Sequence, residues 1–239
     1  MSLVDDLQLA GTIVGITAAC YAGARLTLRT WLRTIGSRRD LTRRLNGLAC
    51  GATYEYAIDL LGQPAFRRPL PEVEECTWRM KHGWVCGLVR EKSLLAFAIT
   101  VTDPKFRFDC SILTFGQLPT VLGLTSLGAT PDPESAEVSV GARRFYMRQY
   151  HYFGNPGGYQ RYLLAYNDLG TGAVNFGPMG PRSYTTATAQ TPQEAAALVA
   201  ARLNTTANTL GVFPPMSSDF EQLWDWPGVD MDFVRTLHV

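Results

Sequence analysis

The sequence is short of the residues from which metal and catalytic centres are usually built. Its three histidines, His82, His151 and His238, stand far apart, and its five cysteines include no CxxC pair. A zinc site needs such ligands in close spacing, so no metal is expected. There is no glycine-rich loop ending in Lys-Ser or Lys-Thr, no G-x-S-x-G and no HExxH. Those absences remove P-loop phosphoryl transfer, the nucleophile elbow and the zinc peptidases. No motif calls for a cofactor, and no catalytic residue is assigned. The odd cysteine count (Cys20, Cys50, Cys76, Cys86, Cys110) without paired spacing is the pattern of reduced thiols in a cytosolic compartment. Cys76 and Cys86 could oppose each other across a hairpin; two separate small buried side chains are the simpler reading.

Charge is nearly balanced at +1 but unevenly placed. The eighteen residues from Leu7 to Ala24 carry no charge, and Gly11, Gly15, Ala19 and Gly23 recur in them every fourth position. Arg25, Arg29, Arg33, Arg38, Arg39, Arg43 and Arg44 follow, offset only by Asp40. An uncharged run of this length approaches the minimum for a spanning helix, and small residues at i, i+4 let two such helices pack closely. Basic residues after rather than before the run oppose a signal peptide and place the later chain in the cytoplasm. The expectation is a single-pass inner- or plasma-membrane anchor that self-associates as a homo-oligomer through its small residues. Arg25, Arg29, Arg33 and Arg38 would then contact lipid head groups. The competing reading is a first helix buried by packing or by a partner. Outside the arginine band the chain carries fifteen basic and twenty acidic residues, which argues against a nucleic-acid partner.

Further along, Thr53 caps a helix over Tyr54 to Leu61 that Gly62 closes. A short helix from Asp40 to Leu48 precedes it. Strands are read at Cys76 to His82, Trp84 to Arg90 and Leu94 to Thr102. A short helix from Leu118 to Leu127, strands at Arg144 to Phe153 and Tyr159 to Tyr166, and an LG…P break echo that order. Thr191-Pro192-Gln193-Glu194 opens the clearest helix, with cap, first-turn proline and capping box together. The fold class is therefore α+β. It comprises an anchor and basic neck (1–36), two small helix-plus-antiparallel-sheet units (37–112 and 113–188), and a C-terminal helix with an aromatic-acidic tail (189–239). The two units either abut or share one sheet. The tail, with Phe220, Leu223, Trp224, Trp226 and Phe233, packs its aromatics on the body or docks a protein partner.

The densest chemistry lies in the second hairpin, where Arg148, Tyr150, Tyr152, Arg161 and Tyr162 fall close together. Arginines among tyrosines can stack on and pair with a flat, nucleotide-like anion. A cross-strand aromatic ladder needs no ligand and explains the same residues. His151 with Asp168 is the one general-base pair worth naming.

Gly51-Ala52-Thr53-Tyr54-Glu55 and Leu61-Gly62-Gln63-Pro64, followed by antiparallel strands, resemble the small outer-membrane assembly lipoprotein domain of the SmpA/OmlA type. The resemblance implies two short helices against a three-stranded sheet over about fifty residues. The family's lipid-attachment cysteine and secretion signal have no counterpart here, so its assembly role is not implied. The chain as a whole resembles bacterial membrane-anchored proteins with an arginine-rich neck and such a domain. The function expected is a membrane-anchored, non-enzymatic binding or scaffolding protein with a cytosolic domain. The alternative is a ligand-sensing effector that binds its anion on the Tyr/Arg hairpin.

Overall fold

The computed structural model describes residues 36–141, 144–154, 159–174, 184–185, 191–214 and 228–229. The chain divides into two compact units, Met1–Arg43 and Arg44–Val239. In the first, the described residues include the beginning of helix α1 (Ser37–Leu45), where Arg43 pairs with Asp40 at 2.8 Å.

Helices of the second unit form where local signals demand them. α2 (Tyr54–Leu61) starts at Thr53, whose hydroxyl accepts from the Tyr56 N–H, and stops at Gly62, with φ of +89°. α3 (Pro192–Leu203) opens with the reciprocal Thr191/Glu194 capping box and has proline in its first turn. Each satisfied cap contributes on the order of 1 kcal/mol.

Two antiparallel meanders supply most of the sheet. The first comprises β1 (Phe66–Pro69), β2 (Glu74–Met80), β3 (Gly83–Arg90) and β4 (Ser93–Val101). A minor ribbon of β5 (Phe108–Asp109) and β6 (Val121–Leu122) follows it. The second meander comprises β7 (Ser135–Gly141), β8 (Arg144–Tyr152) and β9 (Arg161–Asn167). After β10 (Tyr184–Thr185) and α3, strand β11 (Thr209–Phe213) inserts between the meanders. The nine-stranded order is β1-β2-β3-β4-β11-β9-β8-β7-β10, antiparallel throughout.

Strand alternation gives this sheet two different faces. One carries Trp78, Phe97, Val212, Tyr162 and Gln149, and α2 and α3 lie on it. The Trp78 indole donates to the Gly62 carbonyl at 2.8 Å, and the Arg202 guanidinium donates to Gln149 Oε1 at 2.9 Å. The other face holds an apolar cluster of Trp84, Cys86, Leu88, Ala98, Tyr150 and Leu163, among others, with Val229 packed on it.

One side chain joins the meanders at the entrance to β11. Asn208, fully buried, donates through Nδ2 to the Asn167 carbonyl and accepts through Oδ1 from the Asn167 N–H, both at 2.8 Å. Its own N–H donates to Ala165 and its carbonyl accepts from Val101, both at 2.9 Å.

Several expectations are corrected. Among the described residues no helix is long and apolar enough to cross a membrane. The longest has 12 residues, about 18 Å against a hydrocarbon core of roughly 30 Å. The run from Leu7 to Ala24, the small residues Gly11, Gly15, Ala19 and Gly23, and Arg25, Arg29 and Arg33 lie outside the described residues; Arg38 is in α1. The membrane anchor is accordingly withdrawn. With it go the inner-membrane address, the lipid partner and the self-association through the anchor, which rested on it, and the cytoplasmic placement, which was drawn from it and from the unpaired cysteines. Of the two arrangements left open for the α+β units, the described strands have the second: both meanders lie in one sheet. The short helix at Leu118 to Leu127 is instead β6 and a 3-10 turn at Leu127–Ala129. Apart from Gly228 and Val229, the aromatic-acidic tail lies outside the described residues.

Replacing Asn208 by leucine would leave the buried Asn167 N–H without a partner and take one of two donors from its carbonyl, which keeps the Gly170 N–H at 2.9 Å. An orphaned buried donor costs about 1–3 kcal/mol, so urea unfolding of Asn208→Leu should show a loss of roughly 1–3 kcal/mol. A loss below about 1 kcal/mol would contradict this account of the joint.

Candidate functional site

Between the helical face of the sheet and two loops is a cavity of about 220 Å³. Phe97 of β4 and Val212 of β11 form its floor, opposite one another in register and almost fully buried. Asn46, Leu48 and Ala49, just after α1, make one wall. Gln160, entering β9, contributes an edge, and Ile112, Leu113 and Phe115 close the remaining side.

Both loops are firmly held. In the first, the Gly51 N–H donates to the Leu94 carbonyl and the Leu94 N–H donates to Ala52, both at 2.8 Å. The Cys50 thiol donates to the Val212 carbonyl at 3.5 Å. Burial pushes that thiol up to about 12, so it stays protonated and is no nucleophile. In the second loop, Asp109 Oδ1 accepts from the Ser111 N–H at 2.9 Å and from its hydroxyl at 2.6 Å. The Thr114 N–H and hydroxyl both donate to Cys110 O at 3.0 Å, and Thr114 Oγ1 accepts from Leu118 N at 3.2 Å.

This wiring holds apolar side chains out in solvent. Ile112 and Phe115 are each 64% exposed, while Leu113 between them is 7% exposed. Phe115 has φ of +51° and is followed by Gly116 at +77°. A bulky residue in the left-handed region costs about 1–2 kcal/mol, and such strain persists only where surrounding bonds enforce it.

The cavity's chemistry is simple. None of its lining residues is charged. Asn46 Oδ1 is buried and has no hydrogen-bond partner. The Tyr162 hydroxyl donates to Gln160 Oε1 at 3.4 Å, which leaves the Gln160 NH2 as the donor of that amide. The site offers apolar walls and the amides of Asn46 and Gln160, with no acid, base or nucleophile among the lining residues.

The residues singled out from the sequence sit elsewhere. Arg148, Tyr150, Tyr152 and Arg161 share the face opposite the helices, whereas Tyr162, paired with His151, points to the helical face. Both arginines have carboxylate partners. Arg148 forms an ion pair with Glu137 and lies 5.9 Å from the Tyr150 ring centroid. Arg161 reaches both Glu134 oxygens, at 3.0 and 2.9 Å. His151 and Asp168 do not pair: His151 is 1% exposed and neither of its ring nitrogens has a partner. A second His–carboxylate pair went unread in the sequence, His82 Nδ1 to Asp103 Oδ2 at 2.7 Å, with the imidazole stacked on Phe106. Cys76 opposes Gly87 and Cys86 opposes Thr77, so these cysteines face opposite sides of the sheet. Both are free thiols. Among the described residues no group of three His, Cys, Asp or Glu side chains could hold a metal ion.

No family model and no curated protein matches the chain, so the SmpA/OmlA resemblance is not sustained. Solved structures with some similarity include a cysteine-rich secretory protein from Staphylococcus aureus, with 7% identity and a TM-score of 0.33 over 69% of this chain and 43% of that one. Another is an extracellular protein containing an SCP domain from Bacillus anthracis, with 8% identity and a TM-score of 0.31 over 78% of this chain and 52% of that one. The chain thus spans about half the length of these two structures.

His151 makes stability depend on pH. Burial, and secondarily the Arg202 charge, lower its imidazole from 6.5 to about 4. The folded state therefore binds this proton less readily than the unfolded chain. Stability is full above pH 6.5, falls as the pH drops towards 4, and by then has lost about 3 kcal/mol. Urea midpoints measured from pH 7 to 4 should fall more steeply for the wild type than for His151→Phe. Parallel profiles would refute the assignment.

Proposed function

We propose that this domain is a non-covalent binding module whose recognition site is the cavity between Asn46–Ala49 and the Cys110–Leu118 loop. The carrying observation is the pairing of that cavity with Ile112 and Phe115, held in solvent by a hydrogen-bonded loop that bears backbone strain. Exposed apolar side chains on a fixed support beside a concavity are suited to contact. Their cost in the free protein is recovered when an apolar ligand covers them. An uncharged lining without acid, base or nucleophile favours binding over reaction.

A membrane-anchored scaffold is not carried forward, since among the described residues no helix is long and apolar enough to cross a membrane. Nor is anion sensing by the hairpin, because Glu137 and Glu134 already engage Arg148 and Arg161.

An uncharged fluorescent probe, N-phenyl-1-naphthylamine, tests the reading. Saturable enhancement with one site per chain is expected. Ala49→Trp fills the mouth from an exposed position and should abolish it. Phe115→Ser should weaken binding about tenfold through lost apolar contact, and neither variant should lower the melting temperature. Saturable binding unchanged in Ala49→Trp, or no saturable binding by the wild type, would defeat the proposal.

A further inference from the structure

We infer that the cavity receives a single uncharged aromatic side chain of a polypeptide partner, whose flanking residues cover Tyr56, Ile112, Phe115 and Tyr159 around it. The inference rests on the binding reading above and names the kind of ligand.

Volume limits the part that enters. An apolar cavity near 150 Å³ holds one benzene ring, so 220 Å³ takes one phenylalanine or tryptophan side chain. It falls short of the roughly 300–1,000 Å³ that drug-sized ligands occupy. No lining residue is charged, and burying an ionised group uncompensated is strongly unfavourable. The entering side chain is therefore neutral.

The surface around the cavity gives the size of the rest. Ile112 and Phe115 line it yet are each 64% exposed, so most of their area lies outside. At the Asn46–Ala49 wall the Tyr56 hydroxyl donates to the Gly47 carbonyl at 3.2 Å, and Tyr56 is 45% exposed. Tyr159, 49% exposed, directly precedes Gln160, which forms an edge of the cavity. Four of the eight large hydrophobic side chains exposed among the described residues thus adjoin one cavity, so the exposure is gathered rather than scattered. Together they leave on the order of 400 Å² in water. That is the size of a functional surface patch and about half of one side of a standard protein interface.

A molecule confined to the cavity would leave nearly all of this surface wet. A chain that threads one side chain into the cavity covers both. Tyrosine and phenylalanine around a charge-free centre are the composition of protein contacts, and one anchor seated in a rigid pocket is their energetic focus. The hydrogen bonds within the Cys110–Leu118 loop fix the pocket beforehand, so binding orders little.

Panning a phage-displayed random dodecapeptide library on the full chain tests this. Peptides that fail to bind Ala49→Trp should share one tryptophan or phenylalanine with uncharged neighbours. Replacing that residue by alanine in the synthetic peptide should weaken binding at least about thirtyfold. Tyr56→Ser and Tyr159→Ser, both outside the cavity lining, should each weaken the peptide about threefold to tenfold while N-phenyl-1-naphthylamine binds as before. If neither variant weakens the peptide, or both weaken the naphthylamine equally, the flanking contacts are overturned. A charged anchor residue, or no Ala49-dependent peptide while the naphthylamine binds, would overturn the polypeptide partner and leave the binding module intact. Concentration-dependent association in sedimentation velocity, lost in Ala49→Trp, would make the occupant a second copy of the chain and overturn it too. If neither peptide nor naphthylamine binds, the module reading fails as well.

Discussion

The fold depends on a strand that arrives last in the described chain and takes a place in the middle of the sheet. β11 has β4 on one side and β9 on the other, and it supplies the ladder that makes two meanders into one sheet. Asn208 completes the joint because its side-chain amide imitates a peptide group, giving and accepting one hydrogen bond at Asn167. With its own backbone bonds to Val101 and Ala165, this single residue ties together the ends of three strands. The space around it is exact in consequence: a Cβ on Gly170 would come within 2.4 Å of the Asn208 amide. Beside it the Thr100 and Thr209 hydroxyls lie 3.0 Å apart. A buried polar network of this kind stabilises when complete and is damaging when any member is missing.

That insertion also creates the cavity. Its floor is the register pair Phe97 and Val212, which exists only where β11 lies beside β4. The Cys50 thiol reaches the Val212 carbonyl, so the wall formed by Asn46 to Ala49 is fixed to the same strand. The floor is thus built by the longest-range pairing in the sheet, and the walls are loops pinned to it.

Local signals were legible in the sequence, and non-local ones were not. α2 and α3 follow from Thr53, Gly62 and the Thr191/Glu194 box, all within one turn of the helix they control. β2 to β4 follow from alternation across tight connections; at the second of these Glu91 and Lys92 take positive φ, as a two-residue hairpin turn requires. β11 was missed because Gly211 interrupts its apolar run and Pro214 follows at once. Gly211 is there for its neighbours, since a Cβ would lie 3.0 Å from Leu163 Cβ, and no local pattern announces that. β7 lies between the segments read as Leu118 to Leu127 and Arg144 to Phe153 and carries no strand expectation, which hid Glu137 as the partner of Arg148. An arginine-tyrosine hairpin is conspicuous by composition, yet its charges are neutralised by residues whose placement only the register reveals. The cavity was illegible for the same reason, being drawn from segments near residues 46, 97, 112, 160 and 212.

Where a chain breaks its local rules without structural gain, function is the natural explanation. Glu91, Lys92 and Phe115 are the non-glycine residues with positive φ among those described. The first two satisfy a hairpin. Phe115 satisfies no turn that another residue could not make more easily; asparagine or glycine would remove both the strain and the exposed ring. Asn46 Oδ1, buried and without a hydrogen-bond partner, belongs to another residue of the same lining. An apolar ligand that covers the ring of Phe115, as proposed above, explains the first of these departures. His151 departs from the rules too, with two bare ring nitrogens, but it is not among the cavity's lining residues. Its consequence falls on stability rather than on recognition.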